Sequence, residues 1–127
     1  MESKPQDKAL DISPLLGTWE NTDPGSDGIV RVVISEAPGG PVVRIFAAGA
    51  AGSPDLVDWG EVPIETLFCD GPASTRAMSF TARFDLGYLT SHLQGNQNLG
   101  LLVLASFNRF TEGGRGSDYF SREFYHR

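Results

Sequence analysis

The segment "VDWGEVPIE" holds the densest group of side chains able to do chemistry, namely Asp58, Trp59, Glu61 and Glu65. Alternate residues of a strand share one face, so Trp59, Glu61 and Glu65 lie together if the strand runs straight. A carboxylate buried beside an indole ring has a raised pKa and can act as an acid or a base. Glu61 is therefore a candidate catalytic or ligand-orienting group. Pro63 predicts a bend, which leaves open a second arrangement with Trp59 packed and the glutamates in solvent.

Two further candidates lie in later strands. His92, in "YLTSHLQGN", could serve as a general base if a carboxylate lies near it. Leu89 and Leu93 occupy the opposite face of that strand, so His92 is on the surface if the leucines point inward. Arg109 is a candidate catalytic or ligand-orienting group.

The known signatures of other chemistries are missing from the sequence. The turn "GGRGSD", 113–118, lacks the Lys-Ser/Thr ending of a phosphate loop, and no Gly-x-Ser-x-Gly segment occurs. One cysteine and two distant histidines do not make a metal site. The sequence thus predicts no cofactor and no metal.

Charge and composition indicate which kinds of partner and which cellular compartment to expect. The 127 residues carry a net charge of −6, and the basic residues are scattered, which disfavours nucleic acid as a partner. The start is polar, and the longest apolar run, near "LGLLVLASF", is too short to cross a membrane. Cys69 is the lone cysteine and fits either a reducing compartment or burial as a small apolar side chain. We expect a cytoplasmic protein with no membrane partner.

Turn-forming glycines and prolines punctuate the chain at regular intervals and separate strand-like segments. In "IVRVVIS" the alternation places Val30, Val32 and Ile34 on one face, and no window shows a helical stripe. The pattern predicts a flexible tail over 1–13 and one domain over 14–127. Eight strands are predicted in that domain, at 15–22, 28–36, 42–48, 57–68, 78–86, 88–94, 99–111 and 118–126.

Sequential strands joined by short turns predict an all-β fold, a single eight-stranded antiparallel meander. Closure into a barrel would remove its two exposed edges. A two-sheet β-sandwich is the alternative architecture. An eight-stranded barrel is either filled by side chains or holds one small ligand.

The stretch "GTW", Gly17 to Trp19, resembles the Gly-x-Trp signature of lipocalins, and "GTWEN" is similar to the opening of avidin-type barrels. Both groups are calycins, that is, meander β-barrels. The resemblance implies that Trp19 plugs the closed end of the barrel beneath an arginine of the last strand. Arg122, in "FSREF", is the arginine predicted to lie over it.

A second resemblance covers about 15–127. The segments "DWGEVP" and "FNRFTEGGRGSDYFSREF" are similar to those of a family of small bacterial proteins. That family often carries a Cys-His-Pro…Cys-Asp-Trp-Gly segment, whereas this chain has "AAGSPDLVDWG" without the cysteines or the histidine. The resemblance therefore implies the fold and brings no activity with it.

Aromatic residues recur across the predicted strands and suggest a cavity at the barrel end opposite Trp19. Arg109, Glu61 and Tyr88 are the polar candidates for orienting an apolar or aromatic ligand. The alternatives are a cofactor-independent cyclase or isomerase in the same cavity, and a protein-interaction module with a filled barrel. The predicted ligand-binding set is Trp59, Glu61, Phe80, Phe84, Tyr88, Phe107 and Arg109.

The predicted strand 99–111 carries apolar residues on both faces, from Leu101 to Leu104. An outward apolar face normally meets another surface. The sequence therefore predicts a homodimer or a higher homo-oligomer through the outside of predicted strands six to eight.

Overall fold

The computed structural model describes residues 9–111 and 116–127, and within them it contains nine strands and no helix. The all-β prediction is confirmed. Since the described chain has no helix, it has none that is long and apolar enough to span a membrane. The strands are β1 Gly17–Asn21, β2 Ile29–Ala37, β3 Gly40–Ala48, β4 Leu56–Pro63, β5 Thr66–Cys69, β6 Ala77–Asp85, β7 Leu89–Asn98, β8 Leu101–Phe110 and β9 Tyr119–His126.

All nine strands belong to one antiparallel sheet in the order β4-β3-β2-β1-β9-β8-β7-β6-β5. Every strand pairs with a neighbour in sequence except at one junction, where β1 pairs with β9. The sheet curls into a half-barrel. The predicted meander order is confirmed, and the two-sheet sandwich is wrong because the described strands form a single sheet.

The predicted strand 57–68 is two strands, which raises the count from eight to nine. Its first part pairs with β3 and its second part with β6. Pro63 ends β4 because it has no N–H to donate. The next two backbone N–H groups face opposite ways, since Ile64 donates to the carbonyl of Pro41 and Glu65 to that of Thr81. The bend therefore bridges the two edges of the sheet at one end, and the half-barrel opens at the other.

The core lies in the concavity of the sheet. In β6, Phe80, Ala82 and Phe84 are buried as their alternation predicts. In β2 the register shifts between Ile29 and Arg31, so the inward set is Ile29, Val32 and Ile34, and the prediction for Val30 is wrong. Other fully buried members are Trp19, Val43, Ile45, Leu93, Leu102 and Tyr125.

Trp19 is fully buried, and its indole Nε1 donates to the carbonyl of Leu15 at 2.9 Å. The guanidinium above its ring belongs to Arg127, 4.4 Å from the ring centroid. The predicted partner Arg122 is wrong, because its guanidinium lies over Phe124 on the outer face of the sheet.

Two predicted regions fall partly outside the described residues. Of the predicted tail 1–13, residues 1–8 are not described, while Asp11 forms a parallel bridge with Arg76. Residues 112–115 of the "GGRGSD" turn region are also outside the described chain. The division into tail and domain stays a prediction.

Candidate functional site

A cavity of about 430 Å³ opens at the end of the half-barrel away from Trp19. Trp19 lies near the C-terminal end of β9, where Glu20 pairs with His126, whereas the cavity follows β9 from Tyr119 to Tyr125. The loop before β2 and the starts of β4 and β7 complete its wall. Its size falls in the range of about 300–1,000 Å³ typical of small-molecule sites.

One side of the cavity is apolar. Trp59 of β4 lies across the open seam between the sheet edges, with its ring centroid 5.7 Å from that of Phe84 in an edge-on arrangement. Ile29, Ala47 and Leu89 extend this surface. The half-buried indole thus forms a flat wall against which an apolar body can pack.

The other side is polar, because three neighbouring strands turn polar residues inward. Ser106 and Asn108 of β8 are 5% and 3% exposed, and Ser91, which faces Asn108 across the ladder on β7, is 0% exposed. Ser121 and Glu123 of β9 continue the polar surface. The inside of the sheet therefore changes from apolar to polar between the core and the mouth.

Two of these buried polar atoms have no hydrogen-bond partner among the described residues, namely Ser91 Oγ and Asn108 Oδ1. The amide Nδ2 of Asn108 donates to Ser106 Oγ at 3.0 Å. This bond fixes the orientation of the amide, and its oxygen Oδ1 accepts no hydrogen bond from a described residue. Leaving a buried acceptor unsatisfied costs about 1–3 kcal/mol, so a native structure normally provides a partner for it. Asn108 lines the cavity, so its amide lies directly behind the polar wall.

Carboxylates and phenols gather at the rim. Ser26 Oγ donates to Glu123 Oε1 at 2.6 Å, which fixes that carboxylate against the loop before β2. Burial raises the pKa of the Tyr119 hydroxyl, and the nearby charges of Asp27 and Glu123 add to the rise. Burial likewise raises the pKa of Tyr125, whose hydroxyl donates to the carbonyl of Ile29 at 2.8 Å. The tyrosines are therefore neutral donors near neutral pH, and the fixed charge of the rim is negative.

The structure brings two members of the predicted binding set to the cavity, Trp59 and Tyr88. Phe80 and Phe84 are fully buried in the core. The remaining members, Glu61, Phe107 and Arg109, do not line the cavity.

The predicted catalytic candidates lie on the outer surface, away from the cavity. His92 Nε2 is 3.9 Å from Glu65, and its ring lies 6.4 Å from that of Phe107. Arg109 is 3.8 Å from Asp118, with its side chain 79% exposed. Glu61 is exposed on β4. The structure thus places no pair of these three side chains around a common point in the cavity.

Sequence reasoning missed the residues that line the polar side, which are Asp27, Ser106, Asn108, Tyr119, Ser121 and Glu123. A signal for them was present. In "LLVLASFNRF" the register that buries Leu102 and Leu104 also turns Ser106 and Asn108 inward. A strand that is apolar-in at one end and polar-in at the other predicts a polar cavity.

The comparisons with known proteins give no match: no protein-family model, curated protein or solved structure matches the chain. The two resemblances noted from the sequence therefore stay predictions, and the site must be interpreted from its own geometry.

Proposed function

We propose that the protein binds a small molecule in the cavity at the mouth of the half-barrel. The observation that carries the proposal is the cavity itself, about 430 Å³ in volume, with Trp59 on an apolar side and Ser106 and Glu123 on a polar side. The guanidinium of Arg127 over Trp19 supports placing the chain among calycin-type barrels, which fits a binding function.

The lining supports a particular kind of ligand. An apolar or aromatic body would pack against Trp59 and Leu89, where each Å² of apolar surface removed from water contributes about 25 cal/mol. A hydrogen-bond donor on the same molecule would pair with Asn108 Oδ1 after a small rotation of the amide, because that oxygen is covered in the structure. The ligand we propose is therefore amphipathic, with one apolar side and at least one donor.

Binding is favoured over the two alternatives. A cyclase or isomerase acting through Glu61, His92 or Arg109 would need one of these side chains at the cavity, and none lines it. A protein-interaction module with a filled barrel would leave no cavity of this volume.

The test is a fluorescence titration of Trp59 with benzyl alcohol, benzamide and 1-naphthol, corrected with the Trp59→Phe variant. We expect Asn108→Leu to weaken binding of the donor-bearing probes by about tenfold, since it removes the acceptor. The same change should raise the free energy of unfolding by about 1 kcal/mol, because it removes a buried unsatisfied group. Stability is measured by urea denaturation.

Asn98→Leu is the matched control, because Asn98 is exposed at the end of β7. It should change neither affinity nor stability appreciably. Titrations in which no probe alters Trp59 emission, together with a destabilised Asn108→Leu variant, would overturn the proposed function.

A further inference from the structure

We propose that the ligand of this cavity is an organic cation, a small amine with an aromatic or aliphatic body. This inference rests on the proposed binding function and adds the charge of the ligand. It is drawn from the rim carboxylates, the unsatisfied Asn108 amide and the aromatic rings beside them.

Among the described residues, the charged side chains that line the cavity are acidic. Asp27 and Glu123 both line the cavity, and over 9–111 and 116–127 no lysine, arginine or histidine does. Neither carboxylate takes part in an ion pair with another described residue, whereas Glu20, Asp58, Asp70 and Asp118 all do. The rim therefore carries negative charge that no basic side chain among the described residues neutralises.

The unsatisfied hydrogen-bonding capacity points the same way. Asn108 Oδ1 has no donor, and among the described residues only Ser26 donates to the carboxylate of Glu123, at Oε1. An ammonium group brings three N–H donors and no acceptor. An anionic ligand would instead bring further acceptors to a lining that is already rich in them.

Aromatic rings surround the same opening. Tyr88, Phe110 and Tyr119 lie at the mouth, and the rings of Phe110 and Tyr119 are 6.2 Å apart at the centroid. The face of such a ring attracts a cation through its quadrupole. Two carboxylates and several aromatic rings that line one opening thus favour a cation with some apolar surface over a bare inorganic ion.

The experiment compares three probes of one shape and different charge, namely 2-phenylethylamine, 2-phenylethanol and 3-phenylpropionate. Binding to the full chain is measured by isothermal titration calorimetry at neutral pH and low salt. We expect the amine to bind at least about tenfold tighter than the alcohol, with the carboxylate weakest. Added salt should weaken only the amine, because screening acts on the charge interaction.

Glu123→Gln should remove most of the preference for the amine and leave the affinity for the alcohol unchanged. Gln keeps an oxygen that accepts from Ser26, and thermal melting checks the fold. Asp27→Asn is the second variant in case the first does not fold. Glu61→Gln, the same exchange at an exposed position of β4, is the matched control and should keep the full preference.

Equal affinities for the amine and the alcohol, or a preference that survives both rim variants, would overturn the cation assignment and leave the proposed function standing. The same holds if none of the three binds while the probes of the fluorescence panel do. Absence of binding in both experiments removes the binding function itself.

Discussion

Arg127 shows what one side chain does for this fold. Its guanidinium lies over the Trp19 ring and donates to the carbonyls of Ser13 and Leu16, at 3.2 and 2.9 Å. Gly17 leaves room for it, because a Cβ there would lie 3.1 Å from Arg127 Cδ, and its φ of +131° suits glycine. The Gly-x-Trp segment thus has a physical explanation in this chain, since its glycine leaves room for the arginine that packs on its tryptophan.

Removing the guanidinium tests this arrangement. We expect Arg127→Ala to lower the free energy of unfolding by about 2 kcal/mol, since a cation–π contact and two charged hydrogen bonds are lost together. Urea denaturation monitored by Trp19 fluorescence is the measurement. Arg122→Ala is the control and should change stability by less than about 0.5 kcal/mol, because its partner Phe124 is on the surface. Equal losses in the two variants would contradict the assignment.

The two arginines, Arg122 and Arg127, show how much of a single side-chain contact could be predicted from the sequence. Trp19 was predicted to be buried, and it is. Its partner was misassigned because β9 carries aromatic residues on both faces, at Phe120 and Phe124 and at Tyr119 and Tyr125. Side-chain alternation gives two sets of residues, and burial of Tyr125 decides which set faces inward. Arg127 continues the inward set.

At the scale of the strand, the inward residues of β8 and β9 change from apolar to polar along the strand. Near the core they include Leu102 and Tyr125, and toward the mouth they include Ser106 and Ser121. The all-β class, the meander order and the buried face of β6 could be predicted, since each depends on local pattern. The aromatic cavity could not, because the rule that apolar residues face inward fails where a sheet lines a polar site.

Close contact between β6 and β7 gives a prediction at this scale. Gly95 of β7 lies under the buried ring of Phe80, and a Cβ at this position would be 2.2 Å from Phe80 Cε1. We expect Gly95→Ala to lower the free energy of unfolding by about 3 kcal/mol through overpacking. The double variant with Phe80→Leu should recover part of that loss, because the smaller side chain yields space.

Gly71→Ala is the control for this pair, since a Cβ there meets no described atom within 4 Å. Chemical denaturation of the native chain, the single variants Gly95→Ala and Phe80→Leu, and their double variant gives the coupling free energy. If the loss in Gly95→Ala is the same with Leu at position 80 as with Phe, the contact is not its cause.

For the whole molecule, the polar residues that β8 and β9 turn inward leave aromatic residues on the outer surface. The same strands that turn serines inward turn Phe107, Phe120 and Phe124 outward, 43%, 55% and 39% exposed. The rings of Phe107 and Phe120 lie 5.1 Å apart and form one apolar patch. Such a patch on a small domain favours association.

We expect this patch to join copies of the chain into a homodimer or a higher homo-oligomer, the association predicted from the apolar run Leu101 to Leu104. Sedimentation velocity at high micromolar concentration should show the dimer or higher oligomer for the native chain. The paired change Phe107→Ser with Phe120→Ser should shift the distribution to monomer, while Phe68→Ser, an exposed phenylalanine on β5, should not. A native chain that sediments only as monomer would contradict the prediction.

The single junction between β1 and β9 has a consequence for the order in which the chain folds. Every other strand pair joins neighbours in sequence, so each can form as a hairpin with little loss of chain entropy. The junction joins residues about a hundred positions apart, through the pairs Glu20–His126 and Asn21–Tyr125 and a hydrogen bond from the Thr22 N–H to the Phe124 carbonyl. We infer that the pairing of β1 with β9 forms last during folding. We also infer that the contact of Arg127 with Trp19 sets the rate at which this pairing opens again.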